Sequence, residues 1–228
     1  MNWRQSCIGL IPCLNEEAAV GEVVRGVRGF VDRVLVIDDG STDATSAVAQ
    51  AAGSEVARHP RPRGKGAALA TGLSRAVEGG FAWALTLDGD GQHAPGDIPK
   101  FFQAAEAESL GLVIGNRMSS IHSMPRIRRW VNQWMSRRLS RLAGRELPDT
   151  QCGFRLVRLA SWQALNLQTR HFEIESEMLM EFIRAGQGVG FVPIEVIYKS
   201  EQSKIHPVRD TVRWFRWLRS LRRGDEWR

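Results

Sequence analysis

Short apolar runs alternate with longer amphipathic stretches through the first half of the chain. The run "CIGLIP" reads as a strand and "EEAAVGEVVRGVRGF" as a helix. "RVLVID" is a second strand, "DATSAVAQAAG" a helix ending at Gly53, and "SEVAR" a short third strand. "GKGAALATGLSRAVEGG" is helical, with Gly79 and Gly80 beyond its end, and "FAWALTLD" and "GLVIGNR" follow as strands. Strands alternating with helices predict a mostly parallel sheet covered on both faces. Runs that are continuously apolar agree with strands buried from both sides.

The second half is less regular. "PRIRRWVNQWMSRRLSRLAG" opens on proline and closes on glycine, and Ile127, Trp130, Val131, Trp134, Met135, Leu139 and Leu142 recur at helical spacing. "HFEIESEMLMEFIRAGQ" reads as a helix, "VGFVPIEVIYK" as a strand or bent hairpin, and "HPVRDTVRWFRWLRSLRRG" as a basic helix over about 207–223. With no internal repeat and no long linker, residues 1–228 are expected to form a single α/β domain.

Composition narrows the class. A chain of 228 residues with 43% hydrophobic and 25% charged content suits one soluble domain with a sizeable core. No apolar run approaches the ~20 residues of a spanning helix. The opening "MNWRQSCIGLIPCLNEE" reads as a first strand rather than a secretory signal. Cys7, Cys13 and Cys152 lack metal-type spacing and are expected as buried, reduced thiols of a cytosolic protein. The net charge of +6 is uneven: Gly111 to Arg145 holds eight arginines and no acid, and Arg209 to Arg223 holds six arginines and one acid. Such blocks attract the phosphates of nucleotide, nucleic acid or lipid headgroup, or else form solvated helix faces.

In an open parallel sheet, ligands sit beyond the carboxyl ends of the strands. The polar clusters "IPCLNEE", "IDDGSTDAT", "DGDGQH" and "GNR" all fall there. Ser41 to Asp43 fit a helix cap. A cap leaves the adjacent Asp38 and Asp39 unexplained, because their repulsion requires a cation or hydrogen-bond donors, and Asp39 is expected to meet a nucleoside. An EF-hand reading of "DGDGQH" fails, since the sixth and twelfth positions hold His93 and Pro99. Asp88, Asp90 and Gln92 instead offer three hard oxygen donors suited to Mg²⁺ or Mn²⁺, with waters and phosphate oxygens completing the shell. An open site of that kind carries a diphosphate and stabilises it as a leaving group. His93 is either a structural hydrogen bonder or a ligand contact. "RPRGKGAALATG" lacks the phosphate-loop spacing, so Lys65 is either a phosphate or base contact or part of a basic turn.

Taken together and in order, these clusters resemble the family-2 glycosyltransferases of GT-A fold, and most of all the dolichyl- or polyprenyl-phosphate sugar transferases. Pro12, Asn15 and Glu16 match the opening P-x-Y-N-E, with Leu14 at its aromatic position. Asp38, Asp39, Ser41 and Asp43 match D-D-x-S-x-D, and Asp88, Asp90, Gln92 and His93 match D-x-D-x-Q-H. Gly115, Asn116 and Arg117 stand for G-S-R, followed by Arg128 and Asn132, the Asp149 to Arg155 element, Glu177 to Leu179, and the pair Ser203 and Lys204. Lys199 stands where relatives often have an arginine, and a basic helix stands where many continue into transmembrane helices.

The resemblance implies inverting transfer of a sugar from a GDP- or UDP-linked donor. Pro12, Asn15, Glu16, Asp38, Asp39 and Lys65 would hold the donor together with Asp88, Gly89, Asp90 and Gln92. Mg²⁺ or Mn²⁺ would sit on Asp88, Asp90 and Gln92. Arg117, Arg128, Asn132, Ser203 and Lys204 would face the acceptor, and Asp90, Arg117, Arg128 and Asp149 form the expected catalytic set. A hydroxyl acceptor requires a carboxylate base, for which Asp149 and Glu175 are candidates. A lipid phosphate requires cations instead, which the acid-free arginine segment fits. On the last helix, Val208, Thr211, Val212, Phe215, Leu218 and Leu221 make an apolar side with Trp214 and Trp217 beside it. That side either meets an anionic bilayer or packs on the domain and closes the acceptor site. The expected location is cytoplasmic, peripheral at the inner face of the membrane, with no nucleic acid partner. A nucleic-acid-binding protein would explain the arginines but not the acidic clusters, and a non-catalytic sugar-nucleotide sensor would not need an intact metal set.

Overall fold

The structure, a computed structural model, describes residues 1–119, 126–197 and 207–223. In chain order the elements are α1 (Trp3–Ser6), β1 (Cys7–Cys13), α2 (Val20–Arg28), β2 (Arg33–Asp38), α3 (Thr45–Ala51), β3 (Glu55–Arg58), α4 (Lys65–Glu78) and β4 (Trp83–Thr86). They continue with α5 (Ile98–Glu108), β5 (Leu112–Asn116), α6 (Arg126–Ala143), β6 (Arg155–Arg158), α7 (Leu159–Gln163), α8 (Ile174–Arg184), β7 (Val189–Pro193) and α9 (Pro207–Arg223).

The strands form one sheet in the order β3-β2-β1-β4-β6-β5-β7. All pairings are parallel except those of β6, which runs antiparallel to both β4 and β5. Leu10 and Ile11 of β1, Val34 to Ile37 of β2 and Ala84 and Leu85 of β4 are fully buried, as both-sided coverage requires. Helix α2 supplies part of that cover through Val20, Val23, Val24 and Val27, spaced to share one helix face. Sequence order steps from β1 to β2 on one side, while β4 lies on the other, so a crevice opens beyond the carboxyl end of β1.

Four elements lie outside the sequence expectations: the short helices α1 and α7, helix α5 and strand β6. Strand β6 escapes the apolar-run criterion because it is only Arg155–Arg158, opened and closed by arginine, although Arg155 is only 2% exposed. Its guanidinium donates to the carbonyls of Cys152, Glu175 and Thr150, at 2.8, 2.7 and 3.2 Å, so each nitrogen of the buried charge is hydrogen-bonded. Helix α5 begins at Ile98 with Pro99 in its first turn and buries Ile98, Phe101, Phe102 and Ala105. The three cysteines are free and buried, and burial pushes the Cys152 thiol up to about 12, where it is unreactive.

Candidate active site

Beyond the carboxyl ends of β1, β2, β4 and β5 lies a cavity of about 670 Å³. The loop after β1 forms its first wall. Asn15 holds a left-handed backbone (φ 54°), which asparagine tolerates better than most residues. The N–H groups of Asn15, Glu16 and Glu17 donate to Ser41 Oγ (2.9 Å), Thr45 Oγ1 (2.8 Å) and Asp43 Oδ2 (3.2 Å). In return Asn15 Oδ1 accepts the N–H of Thr42 and Glu17 Oε2 that of Ala44, both at 2.8 Å. The two polar loops are therefore stapled to each other through side chains that the sequence alone reads as a simple helix cap. Pro12, Asn15 and Glu16 line the cavity.

Asp38 and Asp39 part company. Asp38 has no exposed surface and lies outside the cavity lining. It accepts the N–H of Ser41 at 2.7 Å and the hydroxyl of Ser46, with Arg58 at 3.6 Å. Burial pushes its carboxyl up, but those hydrogen bonds and the Arg58 charge outweigh it and hold the group below the usual range. The expectation that Asp38 touches the donor is corrected: its oxygens are consumed in shaping the turn at Gly40 (φ 82°). Asp39 lines the cavity and accepts from Arg63 N–H (2.9 Å), Gly64 N–H (2.7 Å) and His59 Nδ1 (2.6 Å). His59 Nε2 lies 3.0 Å from Thr71 Oγ1, which donates to the Ala67 carbonyl. Asp39 thus draws the segment around Arg63 and Gly64 to the mouth of the cavity. Neither His59 nor Arg63 carries a motif signal in the sequence.

The next wall is the loop after β4. Asp88, Gly89, Asp90 and Gln92 all line the cavity. Lys65, at the first position of α4, bridges Asp88 and Glu175 at 2.5 Å to each. Burial pulls the lysine's pKa down, yet the two carboxylates outweigh it and raise it. Burial likewise pushes Asp88 up, while Lys65, helped by His93, holds it well below the usual carboxylate range. Gly153 permits this close packing, because a Cβ there would lie 2.8 Å from both Asp88 oxygens and from Lys65 Nζ. Asp90 Oδ1 accepts the N–H of Gln92 at 3.0 Å. His93 is buried with its Nε2 3.5 Å from Asp88, and it does not line the cavity.

Among the described residues no three His, Cys, Asp or Glu side chains gather in a metal-holding cluster. Asp90, the Gln92 amide and the Asp88 oxygen that Lys65 does not take are hard oxygen donors on one wall, and their number would leave coordination positions for phosphate oxygens and water. That donor set fits Mg²⁺ or Mn²⁺.

On the far side of β4, Arg117 follows β5 and lines the cavity while only 6% exposed. Its Nε and Nη2 donate to the two oxygens of Asp149 at 2.7 and 2.9 Å, and its backbone N–H donates to Asp149 at 3.1 Å. Burial pushes Asp149 up, but the Arg117 charge outweighs it and holds the carboxyl below its usual range. The expectation of Asp149 as a catalytic base is corrected. It has no exposed surface, is absent from the cavity lining, and spends both oxygens on Arg117. Asn132 is buried outside the cavity lining, which removes it from the acceptor wall. Arg128 belongs to α6, with its side chain outside the described residues, as are Ser203 and Lys204.

Helix α9 closes this side. Trp214, Trp217 and Leu218 are buried, and Trp214 Nε1 donates to Ser176 Oγ of α8 at 3.0 Å. Trp134 of α6 packs against Trp214 and Phe215 with ring centres 5.7 and 5.4 Å apart. The helix therefore packs on the domain with its tryptophans inward, whereas Val212 and Phe215, expected on an apolar side that would either meet a bilayer or pack on the domain, are exposed. Gln151, His171, Phe172, Asp210 and Arg213 also line the cavity and were not singled out in the sequence. The arginine density of α9 was the one available signal for Arg213.

A family model described as glycosyl transferase family 2 matches residues 10–165. The UDP-N-acetylglucosamine–dolichyl-phosphate N-acetylglucosaminyltransferase of Methanococcus voltae is 30% identical over 212 residues, covering 83% of this chain and 84% of that protein. The undecaprenyl-phosphate mannosyltransferase of Micrococcus luteus is 26% identical over 202 residues, 82% of each chain. Among solved structures, the glucosyl-3-phosphoglycerate synthase of Mycobacterium tuberculosis in complex with Mn²⁺, uridine diphosphate and phosphoglyceric acid superposes with a TM-score of 0.74. It is 21% identical, over 93% of this chain and 75% of that one.

Proposed function

Because this chain belongs to glycosyl transferase family 2 and has the GT-A fold, we propose that it transfers a sugar from a nucleoside diphosphate donor to a polyprenyl-phosphate or similar lipid phosphate, with inversion. The observation that carries the acceptor class is the state of the two candidate bases. Asp149 is locked onto Arg117 and Glu175 onto Lys65. A hydroxyl nucleophile would need a carboxylate free to take its proton, and neither of these two is. A phosphate monoester, with a second ionisation near about 6, arrives already anionic. The dolichyl- and undecaprenyl-phosphate relatives differ in sugar and share a lipid-phosphate acceptor by name, which supports the same reading.

In this scheme Pro12, Asn15, Glu16 and the Asp39-organised segment at Arg63 and Gly64 hold the nucleoside. Asp88, Asp90 and Gln92 would hold Mg²⁺ or Mn²⁺, which supplies charge neutralisation to the leaving diphosphate. The complex of the mycobacterial neighbour with Mn²⁺ and uridine diphosphate favours a UDP-linked donor. An acceptor phosphate oxygen attacks the anomeric carbon as the bond to the diphosphate oxygen breaks, and the electron pair leaves with the nucleoside diphosphate. Arg117 is preorganised for this step: Asp149 fixes the guanidinium plane before any substrate enters.

The outer surface supports a peripheral position on an anionic cytoplasmic membrane face. No helix among the described residues is long and apolar enough to cross a bilayer. However, Ile127 (81% exposed) and Trp130 (67%) on α6 continue through Trp134 to Phe215 (37%) and Val212 (43%) on α9. The exposed Arg137, Arg216 and Arg219 share these two helices. Aromatic and aliphatic side chains among arginines suit a headgroup interface.

The direct test offers the purified protein, with Mn²⁺ and a panel of UDP and GDP sugars, undecaprenyl phosphate or undecaprenol. Glycosylated undecaprenyl phosphate with no product from undecaprenol is expected. Transfer to the alcohol alone would refute the reading.

A further inference from the structure

We propose that α9 is a wall of the active site and that its Arg213 binds the phosphate of the acceptor. This rests on the reaction assigned above and adds a residue beyond the matched family region, 10–165.

Position comes first. Asp210 and Arg213 line the same cavity as Asp88, Asp90 and Arg117. What holds them there is a chain of hydrogen bonds to the Arg117 half of the site. Trp214, next to Arg213, donates to Ser176 Oγ at 3.0 Å. Ser176 Oγ also accepts Gln151 Nε2 at 2.7 Å, and the Gln151 N–H donates at 3.2 Å to Asp149, the carboxylate that grips Arg117. The nucleoside loops hang instead from β1 and β2, on the other side of β4. Arg213 thus enters the half left for the acceptor.

Charge comes second. Arg117 and Lys65 face the cavity with their charges already matched, Arg117 by the buried Asp149 and Lys65 by the half-buried Asp88 and the buried Glu175. A doubly ionised phosphate entering that half requires a cation held less tightly. Arg213 is such a cation. Its side chain is 30% exposed, and Asp210, 3.3 Å from Nη1, is its partner among the described residues. That contact steers the guanidinium from one corner and, among the described residues, leaves Nε and Nη2, the edge that pairs with two phosphate oxygens at once. Asp210 is then a positioning residue, and a lysine at 213 would lack the fork.

The test uses full-length protein, Mn²⁺, the sugar nucleotide the wild type turns over, and citronellyl phosphate, a short soluble prenyl monophosphate that needs no membrane. Arg213→Ala should raise the KM for citronellyl phosphate about tenfold or more, and Arg213→Lys should recover only part of that. Calorimetric binding of uridine diphosphate with Mn²⁺ should stay at the wild-type value in both. An unchanged acceptor KM in Arg213→Ala overturns the proposal. So does a matched loss of nucleotide affinity, which would mean that α9 had merely shifted. If wild type glycosylates neither citronellyl nor undecaprenyl phosphate, the assigned reaction itself fails, and the proposal with it.

Discussion

Replacing Asp149 by Asn removes one negative charge from the core and leaves Arg117 without its counter-ion. Asp149 has no exposed surface and Arg117 is 6% exposed, so water cannot take the carboxylate's place. The carboxylate accepts three N–H groups of Arg117, at 2.7, 2.9 and 3.1 Å. Asparagine keeps one acceptor oxygen and turns an NH₂ toward the other donors. Breaking a buried pair in this way costs about 3–5 kcal/mol. For a chain of 228 residues that corresponds to a fall in Tm of roughly 6–20 °C.

The pH dependence has a fixed sign. The folded-state pKa of Asp149 is depressed, so its contribution is complete above the unfolded value of ~3.9 and is lost as pH falls through the folded value. Scanning calorimetry from pH 3 to 8 should therefore find the gap between wild type and Asp149→Asn constant near neutrality and narrowing in acid. Transfer rates measured below both melting temperatures complete the assay. A variant that melts within about 2 °C of wild type but loses turnover, together with the acid-limb ionisation of the rate, would reinstate Asp149 as a base and refute this reasoning.

Two further outcomes follow from the packing of α9 and from the exposed aromatic strip. Trp214→Ala should cost about 3–5 kcal/mol by emptying a buried aromatic site, and Trp214→Phe, which keeps most of the ring volume, should cost clearly less; equal losses in thermal unfolding would contradict the inward packing of this helix. Ile127→Glu combined with Trp130→Glu, both at strongly exposed positions, should abolish co-sedimentation with vesicles containing anionic lipid while shifting unfolding by no more than about 1 kcal/mol, and undiminished sedimentation would move the membrane contact elsewhere.

The parallel half of the sheet was legible because β1, β2, β4 and β5 bury both faces and so read as unbroken apolar runs. Strand β6 was not, since Arg155 satisfies its charge with three carbonyls that only the folded chain brings to it. Strand-end clusters pointed to the carboxyl ends of the strands, where Asp39, Asp88, Asp90 and Arg117 line one cavity. What local sequence could not carry was long-range pairing. Lys65 finds Glu175 from 110 residues away, and Arg117 claims Asp149 from 32. Those two pairings turn apparent bases into anchors. Helical spacing on α9 also left open which apolar side turns inward, a choice that Ser176 and Trp134 make for Trp214.

The central claim is that Asp88, Asp90 and Gln92 present one wall to a cation-bound diphosphate. Isothermal titration of uridine diphosphate into the protein, in Mn²⁺ and then in excess chelator, tests it most directly. Binding in Mn²⁺ that weakens by at least about tenfold on chelation, and is equally weak for Asp90→Ala in either condition, is the predicted result. Binding of uridine diphosphate that is indifferent both to Mn²⁺ and to Asp90→Ala would contradict it.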